Sequence, residues 1–174
     1  SEIEDLERRI RKLLEENRKL VDDVAKKLRE LLRELRKLSE ESRKRLEDLL
    51  RKLRKDGVPE EILRRVAEEV RRLEEESKRL NDETEKELRR LLEELKRSTE
   101  DLEKKADDVR KLLRAGKDVE EVLRRLEKLS RENKDLIRRI DERIEKLIRD
   151  DKRRNREISE RARELARKLE DEAR

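Results

Sequence analysis

Apolar residues recur in this sequence with a repeat of 18 residues, and each repeat holds five positions that share one helix face. In each third of the chain the pattern starts with five residues, and adding 18 once or twice gives its later positions. The starting residues are Ile3, Leu6, Ile10, Leu13 and Asn17; Ile62, Val66, Val70, Leu73 and Ser77; and Val119, Val122, Leu126, Leu129 and Asn133. Five positions in 18 residues are 3.6 residues apart, which is the period of an undistorted α-helix. A heptad repeat would have a spacing of about 3.5 residues and a left-handed supercoil. The pattern therefore predicts long helices that are nearly straight.

The pattern is interrupted at two places, and these hold both glycines and the single proline. Gly57 and Gly116 suit the left-handed conformation that follows many helix C-termini. Pro59 suits the first position of a helix, where its missing N–H would have no partner in any case. Asp118 is an expected N-cap, with Glu121 as its capping-box partner three residues later. The predicted helices cover about residues 2–55, 59–114 and 119–173.

These helices predict an all-α protein: one domain, 1–174, that is a single-chain, antiparallel three-helix bundle running up, down and up. Short connections make neighbouring helices antiparallel, so facing residues of the first and third helices should differ in number by about 116–119. A content of 60% charged residues is also found in disordered proteins. The net charge of only +5 and the strong periodicity favour the folded bundle.

The uncharged polar residues inside the chain fall at two levels of the predicted bundle. The first polar layer contains Asn17, Ser98, Thr99, Ser130 and Asn133. The second polar layer contains Ser39, Ser42, Ser77, Asn81, Thr84, Asp151, Asn155 and Ser159. Buried amides and hydroxyls are costly without hydrogen bonds, so we expect the members of each layer to bond to one another. Asp151 is the one charged pattern position, and it either accepts a bond in the layer or turns outward to an arginine.

Several kinds of function need side chains that this sequence lacks. Without histidine or cysteine there is no imidazole base, no thiol nucleophile and no common zinc ligand. Without aromatic residues there is no surface on which nucleic-acid bases stack. Adjacent acids such as Asp22 and Asp23 point to different sides of a helix, which favours a solvated surface over a metal site. We therefore expect no catalytic, cofactor-binding or metal-binding residues and no enzymatic activity.

Acidic and basic residues are mixed along the whole chain. Arginine pairs such as Arg153 and Arg154 stand beside Asp150 and Asp151, so a solvated face is favoured over a nucleic-acid interface. No run of apolar residues is longer than two, so we expect no membrane segment and no targeting signal. The sequence predicts a soluble chain, compatible with cytoplasmic expression, and no particular cellular location.

A second set of apolar residues flanks the 18-residue pattern. These residues widen the apolar face to the width that a three-helix core needs, which favours a monomer that requires no partner. The alternative is a second interface and a homo-oligomer. The flanking residues are Leu14, Leu32, Leu50, Leu63, Leu92, Leu112, Leu123 and Ile148.

The 18-residue pattern, the helices that end at Gly57 and Gly116, and the matched polar layers resemble de novo designed, parametrically generated helical bundles with buried hydrogen-bond networks. The resemblance covers the whole chain. It implies a thermostable structural scaffold without natural biochemical activity, in which the polar layers fix register and oligomeric state. The alternative hypothesis is a protein–protein interaction module, either a homo-oligomer or a partner in a designed assembly.

Overall fold

The computed structural model describes residues 1–173, and within them the chain forms three α-helices and no β-strand. The helices are α1 (Glu2–Lys55), α2 (Glu60–Arg114) and α3 (Val119–Ala173). They pack in the up-down-up arrangement, which confirms the predicted all-α three-helix bundle. Helix α2 begins one residue later than predicted, because the Pro59 carbonyl accepts a helical hydrogen bond from the Leu63 N–H at 3.0 Å. Arg174, the last residue of the predicted domain, lies outside the described residues.

Helix α1 ends in a turn that satisfies its last carbonyl groups. Gly57 has a φ of 77°, as predicted from its position, and its N–H donates to the Arg54 carbonyl at 3.1 Å. The Val58 N–H donates to the Leu53 carbonyl at 3.3 Å, which completes a Schellman motif. Val58 also packs against the core cluster that contains Leu53, so the turn is anchored by an apolar contact as well.

The turn between α2 and α3 has the same form. Gly116 has a φ of 74°, and the Lys117 N–H donates to the Leu112 carbonyl at 3.2 Å. Asp118 caps α3, since its Oδ1 accepts a hydrogen bond from the Glu120 N–H at 3.3 Å. The predicted capping box is wrong in its second half, because the Glu121 carboxylate accepts a hydrogen bond from Arg125 instead. An arginine one turn later lies on the same helix face and competes for the same carboxylate.

The described chain divides into two compact units, each of which takes a part of all three helices. Unit 1 consists of Ser1–Arg29 and Leu88–Glu145. Unit 2 consists of Glu30–Glu87 and the described part of Lys146–Arg174. The organisation as one domain stays a prediction.

Each unit has its own apolar core, to which all three helices contribute. The buried residues of the unit 1 cluster are Leu6, Ile10, Ala106, Val109, Leu113, Val122 and Leu126. Those of the unit 2 cluster are Leu46, Leu53, Val66, Val70, Leu73, Ile158, Ala162, Ala166 and Leu169. Full burial of one such leucine, isoleucine or valine contributes about 1.5–3 kcal/mol, so these clusters dominate the stability of the units.

The 18-residue pattern marks the inward face of each helix. Every pattern position except Ile3 is buried or half-buried, and Ile3, near the start of α1, is 54% exposed. Two residues that were predicted to flank the pattern, Leu32 and Ile148, are buried instead, while the pattern position Leu31 is half-buried. Neighbouring residues are about 100° apart around a helix. A modest rotation of α1 about its axis is therefore enough to make Leu32 more buried than Leu31.

Candidate functional site

The first polar layer lies in unit 1, where two buried asparagines join α1 to α3. The Asn133 Nδ2 group donates a hydrogen bond to Asn17 Oδ1. Asn17 is 2% exposed and Asn133 is 8% exposed. The two residue numbers differ by 116, which lies within the offset predicted for parallel first and third helices. This bond links α1 and α3 at the predicted register.

The hydroxyl groups of the first layer behave differently. Ser98 Oγ and Thr99 Oγ1 both donate to the Leu95 carbonyl oxygen of their own helix, at 2.7 and 3.2 Å. Serine and threonine often bond in this way because the carbonyl one turn earlier is always within reach. Ser130 is half-buried and lines a groove of about 220 Å³ together with Leu13 of α1. Among the described residues, only the two asparagines of this layer bond to each other, so the layer is smaller than predicted.

The second polar layer lies in unit 2 and centres on Asn155 of α3. Asn155 Oδ1 accepts a hydrogen bond from Ser77 Oγ at 2.7 Å. Its Nδ2 group donates to Asn81 Oδ1 at 3.0 Å and to a carboxylate oxygen of Asp151 at 2.9 Å. Ser77 and Asn81 both belong to α2. Asn155 therefore connects α3 to α2 through both ends of its amide.

Asp151 points inward, which decides between the two orientations that the sequence left open. It is 2% exposed, and its Oδ1 accepts a hydrogen bond from Thr84 Oγ1 at 2.9 Å. Burial raises the pKa of Asp151 above its ordinary value, because a carboxylate inside the protein loses its water shell. The bonds from Thr84 and Asn155, and the charge of Arg154, lower the pKa and offset part of this effect. Of the side chains that the structure describes, Asp151 is the one buried group that can ionise.

The α1 members of the second layer are not part of this cluster. Ser42 is 7% exposed, and its Oγ has no hydrogen-bond partner among the described residues. The Asn81 Nδ2 group is likewise buried without a partner in this part of the chain. Ser39 and Ser159 are half-buried, and Ser159 lines a surface groove together with Ser42. The hydrogen bonds of the second layer thus join α2 to α3 and do not extend to α1.

Glu74 is a half-buried carboxylate beside the second layer that sequence reasoning missed. It lines a cavity of about 10 Å³ together with Ser42 and Ser77. Burial raises the pKa of Glu74, the nearby charge of Glu47 raises it further, and two neighbouring arginines lower it. Glu74 is not a pattern position, so no signal within α2 distinguishes it from the exposed glutamates of that helix.

Ion pairs join α1 and α3 at the edge of the interior in both units. In unit 1, Lys27 pairs with Asp141 at 3.0 Å and also with Glu145, and its hydrogen bond to Glu145 is the main cause that raises the pKa of Lys27. In unit 2, Glu34 pairs with Lys152 at 2.8 Å. Both Lys27–Glu145 and Glu34–Lys152 join residues whose numbers differ by 118. The pairs are partly exposed, so each contributes little to stability. Their offset of 118, like the offset of 116 between the asparagines, lies within the predicted range.

The chemistry of these clusters is limited to hydrogen bonding and to the single buried carboxylate. Across residues 1–173, no group of three or more acidic side chains is arranged to hold a metal ion. In the same residues, no helix is apolar over a stretch long enough to cross a membrane. No protein-family model, curated protein or solved structure matches this chain.

Proposed function

We propose that this chain is a structural scaffold, a de novo designed helical bundle without a natural substrate, whose two polar layers fix register and oligomeric state. The observation that carries the proposal is the buried hydrogen bond between Asn17 and Asn133. If α3 slid along α1 by one turn, both amides would lose this partner, and an unpaired buried polar group costs about 1–3 kcal/mol. Leucine side chains have no comparable penalty, so the polar pair selects one register.

The second polar layer supports the same role for the pairing of α2 with α3. Asn155 bonds to Ser77 and Asn81 of α2, and these bonds require one axial position of α3 in unit 2. A single polar residue in an apolar helix interface is a well-attested device for specifying register and oligomeric state, at some cost in stability. The asparagines of α3 thus have the properties that such a device needs.

The proposal includes no catalytic, cofactor-binding or metal-binding role. The carboxylate oxygens of Asp151 accept hydrogen bonds from Thr84 and Asn155. Because Asp151 is almost fully buried, its carboxylate is engaged in holding α2 to α3 and does not face solvent where a substrate would bind. The unbroken 18-residue pattern in each helix supports an origin by parametric design.

The flanking apolar residues favour a monomer over an interaction module. Leu14 and Leu123 pack against the core of unit 1, and Leu50 packs against the core of unit 2. Among the described residues, the exposed large apolar side chains are Ile3 and Leu20. Stable interfaces between proteins usually bury about 800 Å² on each partner, which two scattered side chains do not supply.

The test compares single and paired changes of the two asparagines. Asn17→Ala should lower the free energy of unfolding by about 1–3 kcal/mol because it leaves Asn133 unpaired. The double variant Asn17→Leu with Asn133→Leu removes the cost of burying both amides, so its stability should hold or rise. Guanidinium denaturation followed by circular dichroism measures these changes. Ser98→Ala is the matched control, because the Ser98 hydroxyl bonds only within its own helix.

Sedimentation velocity measures the second half of the proposal. The parent should sediment as a monomer of 21.4 kDa, and the double leucine variant should give a mixture of species. A double variant that remains one well-defined monomer would refute the role of the layer in specificity. A parent that sediments as a dimer would favour the interaction module instead.

A further inference from the structure

Residues 34–45 of α1 and residues 152–163 of α3 line an open groove in unit 2, which we call the α1–α3 groove. Its volume is about 570 Å³, within the range of about 300–1,000 Å³ that is typical of small-molecule sites. The groove contains short side chains at Ser42 and Ser159, and Leu38 supplies apolar surface. Ser42 holds a pattern position that is occupied by Leu6 and Val24 in the two earlier repeats. The small side chains therefore leave space that larger ones would fill.

One buried polar group of the groove lacks a partner. The Ser42 hydroxyl forms no hydrogen bond within the described residues, although the side chain is more than nine-tenths buried. A buried hydroxyl without a partner is destabilising, whereas the same hydroxyl is stabilised by any acceptor or donor that reaches it. Ser42 lines both this groove and the small cavity beside Glu74 and Ser77, so its hydroxyl is an unpartnered polar group in the wall of the groove.

Two arginines on different helices line one end of the groove. Residues 118 apart carry opposite charges in the ion pairs Lys27–Glu145 and Glu34–Lys152. The same offset places Arg45 opposite Arg163, and both arginines line the groove at one end of its lining segments. Like charges at this register repel each other. An anion between two guanidinium groups would be stabilised by both.

The remaining charges of the groove leave an excess of cations. Lys152 is neutralised by Glu34, while Arg156 adds a third guanidinium group to the lining. Glu41 and Glu160 also line the groove, each on the same helix as one of the arginines. Within residues 1–173, no salt bridge involves Arg45, Arg156 or Arg163. With Lys152 and Glu34 paired, three guanidinium groups and two carboxylates remain along the groove.

We propose that the α1–α3 groove binds a small anionic amphiphile, a single alkyl chain that ends in a carboxylate or a similar anionic group. The anionic group lies between Arg45 and Arg163, where it relieves their repulsion. The alkyl chain lies along the groove over Leu38, whose lining segments extend for about 16 Å at 1.5 Å per residue. The groove is also lined by Asn155, the centre of the second polar layer, so the variants that test the groove leave Asn155 unchanged.

Three probes separate the contributions of charge and chain. Decanoate has both parts of the proposed ligand, decyltrimethylammonium has the same chain with a cation, and acetate has the anion without the chain. Isothermal titration calorimetry at concentrations below micelle formation should give saturable one-to-one binding of decanoate. The cationic probe should bind about ten-fold more weakly or worse, and acetate should show no measurable binding in the same range. Amide chemical shifts should move mainly in residues 34–45 and 152–163.

Two variants test the arginine pair. Arg163→Glu places an acid opposite Arg45 at the register of the observed ion pairs, so it removes the anion site and should weaken decanoate binding about ten-fold or more. Arg143→Glu makes the same charge change on α3 outside the groove and should bind decanoate as the parent does. Ser159→Leu fills the path of the alkyl chain and should also weaken binding, while both arginines remain. Circular dichroism confirms that each variant is folded.

The proposal is overturned if decanoate shows no saturable binding or if the cationic probe binds equally well. It is also overturned if Arg163→Glu binds like the parent, because the anion would then lie elsewhere. Equal weakening by Arg143→Glu and Arg163→Glu would indicate a response to net charge alone and would refute the site. The outcome of this titration does not depend on how the Asn17 and Asn133 variants sediment.

Discussion

Replacing Thr84 with valine should destabilise the protein more at neutral pH than in acid. The Thr84 hydroxyl lies 2.9 Å from the buried carboxylate of Asp151 and 3.0 Å from the Leu80 carbonyl oxygen, so its one proton is shared between two acceptors. Valine has the same shape without that donor. A hydrogen bond to an ionised group contributes about 1.5–3 kcal/mol, whereas one between neutral groups contributes about 0.5–1.5 kcal/mol. We expect the Thr84→Val variant to lose the larger amount when Asp151 is ionised and the smaller amount when it is protonated.

The direction of the pH effect follows from the raised pKa of Asp151. A folded pKa above the unfolded value means that the contribution of this group to stability is fully present below the unfolded pKa and is lost as pH rises through the folded one. The Thr84 hydroxyl limits that loss because it stabilises the ionised carboxylate. Without it the pKa of Asp151 rises further. The difference in unfolding free energy between parent and variant should therefore grow with pH.

Guanidinium denaturation followed by circular dichroism at about pH 3 and pH 8, on either side of the ordinary aspartate pKa, measures this difference. Thr99→Val is the matched control, because the Thr99 hydroxyl bonds to the Leu95 carbonyl of its own helix at 3.2 Å. Its cost should be about 0.5–1.5 kcal/mol and should be the same at both pH values. Two results would contradict the role of Asp151 as the buried, ionised acceptor of the Thr84 hydrogen bond. One is a cost of Thr84→Val at pH 8 no greater than that of Thr99→Val, and the other is a cost that does not fall in acid.

Three further predictions concern the core, the turns and the whole fold. Leu53→Ala should lower the free energy of unfolding in denaturant by about 2–5 kcal/mol because Leu53 is 1% exposed. Leu50 is half-buried, so Leu50→Ala should cost less, and equal losses at the two sites would contradict the burial pattern. Gly57→Ala should cost about 1–2 kcal/mol in the same assay because its φ of 77° disfavours a Cβ atom, and Gly57→Asn should be milder. A thermal scan should show cooperative unfolding above about 45–65 °C, because strong helix formers fill the surface; a midpoint inside that range would contradict the expected thermostability.

The helices and their register could be predicted because the signals for them are local and repeated. A 3.6-residue period identifies the inward face of each helix, and a glycine two residues past the last helical residue marks the C-terminal ends of α1 and α2. The offset between α1 and α3 follows from the lengths of α2 and the turns, and Asn17 with Asn133 lies at that offset. These properties depend on chain geometry and not on the details of packing.

The bonding within the polar layers could not be predicted, because it depends on side-chain rotamers and on shifts of a few tenths of an ångström. Ser77 bonds across to Asn155, whereas Ser98, also a pattern position of α2, bonds to its own backbone. The sequence contains the same hydroxyl in both places. Whether Leu31 or Leu32 is the more buried depends likewise on the rotation of α1, which is set by the other two helices.

Neither compact unit consists of one continuous stretch of chain, and this affects how the protein is made. Unit 1 needs Leu88–Glu145 beside Ser1–Arg29, and unit 2 needs the part of α3 that follows Lys146. During synthesis on a ribosome, neither unit can close until most or all of the chain has emerged, since contacts between distant parts of a chain form late. Until then the nascent chain exposes the apolar faces of α1 and α2 to chaperones and to other nascent chains. In an expressing cell, the amphipathic α1 and α2 segments of each chain are therefore synthesised before either unit of that chain can fold.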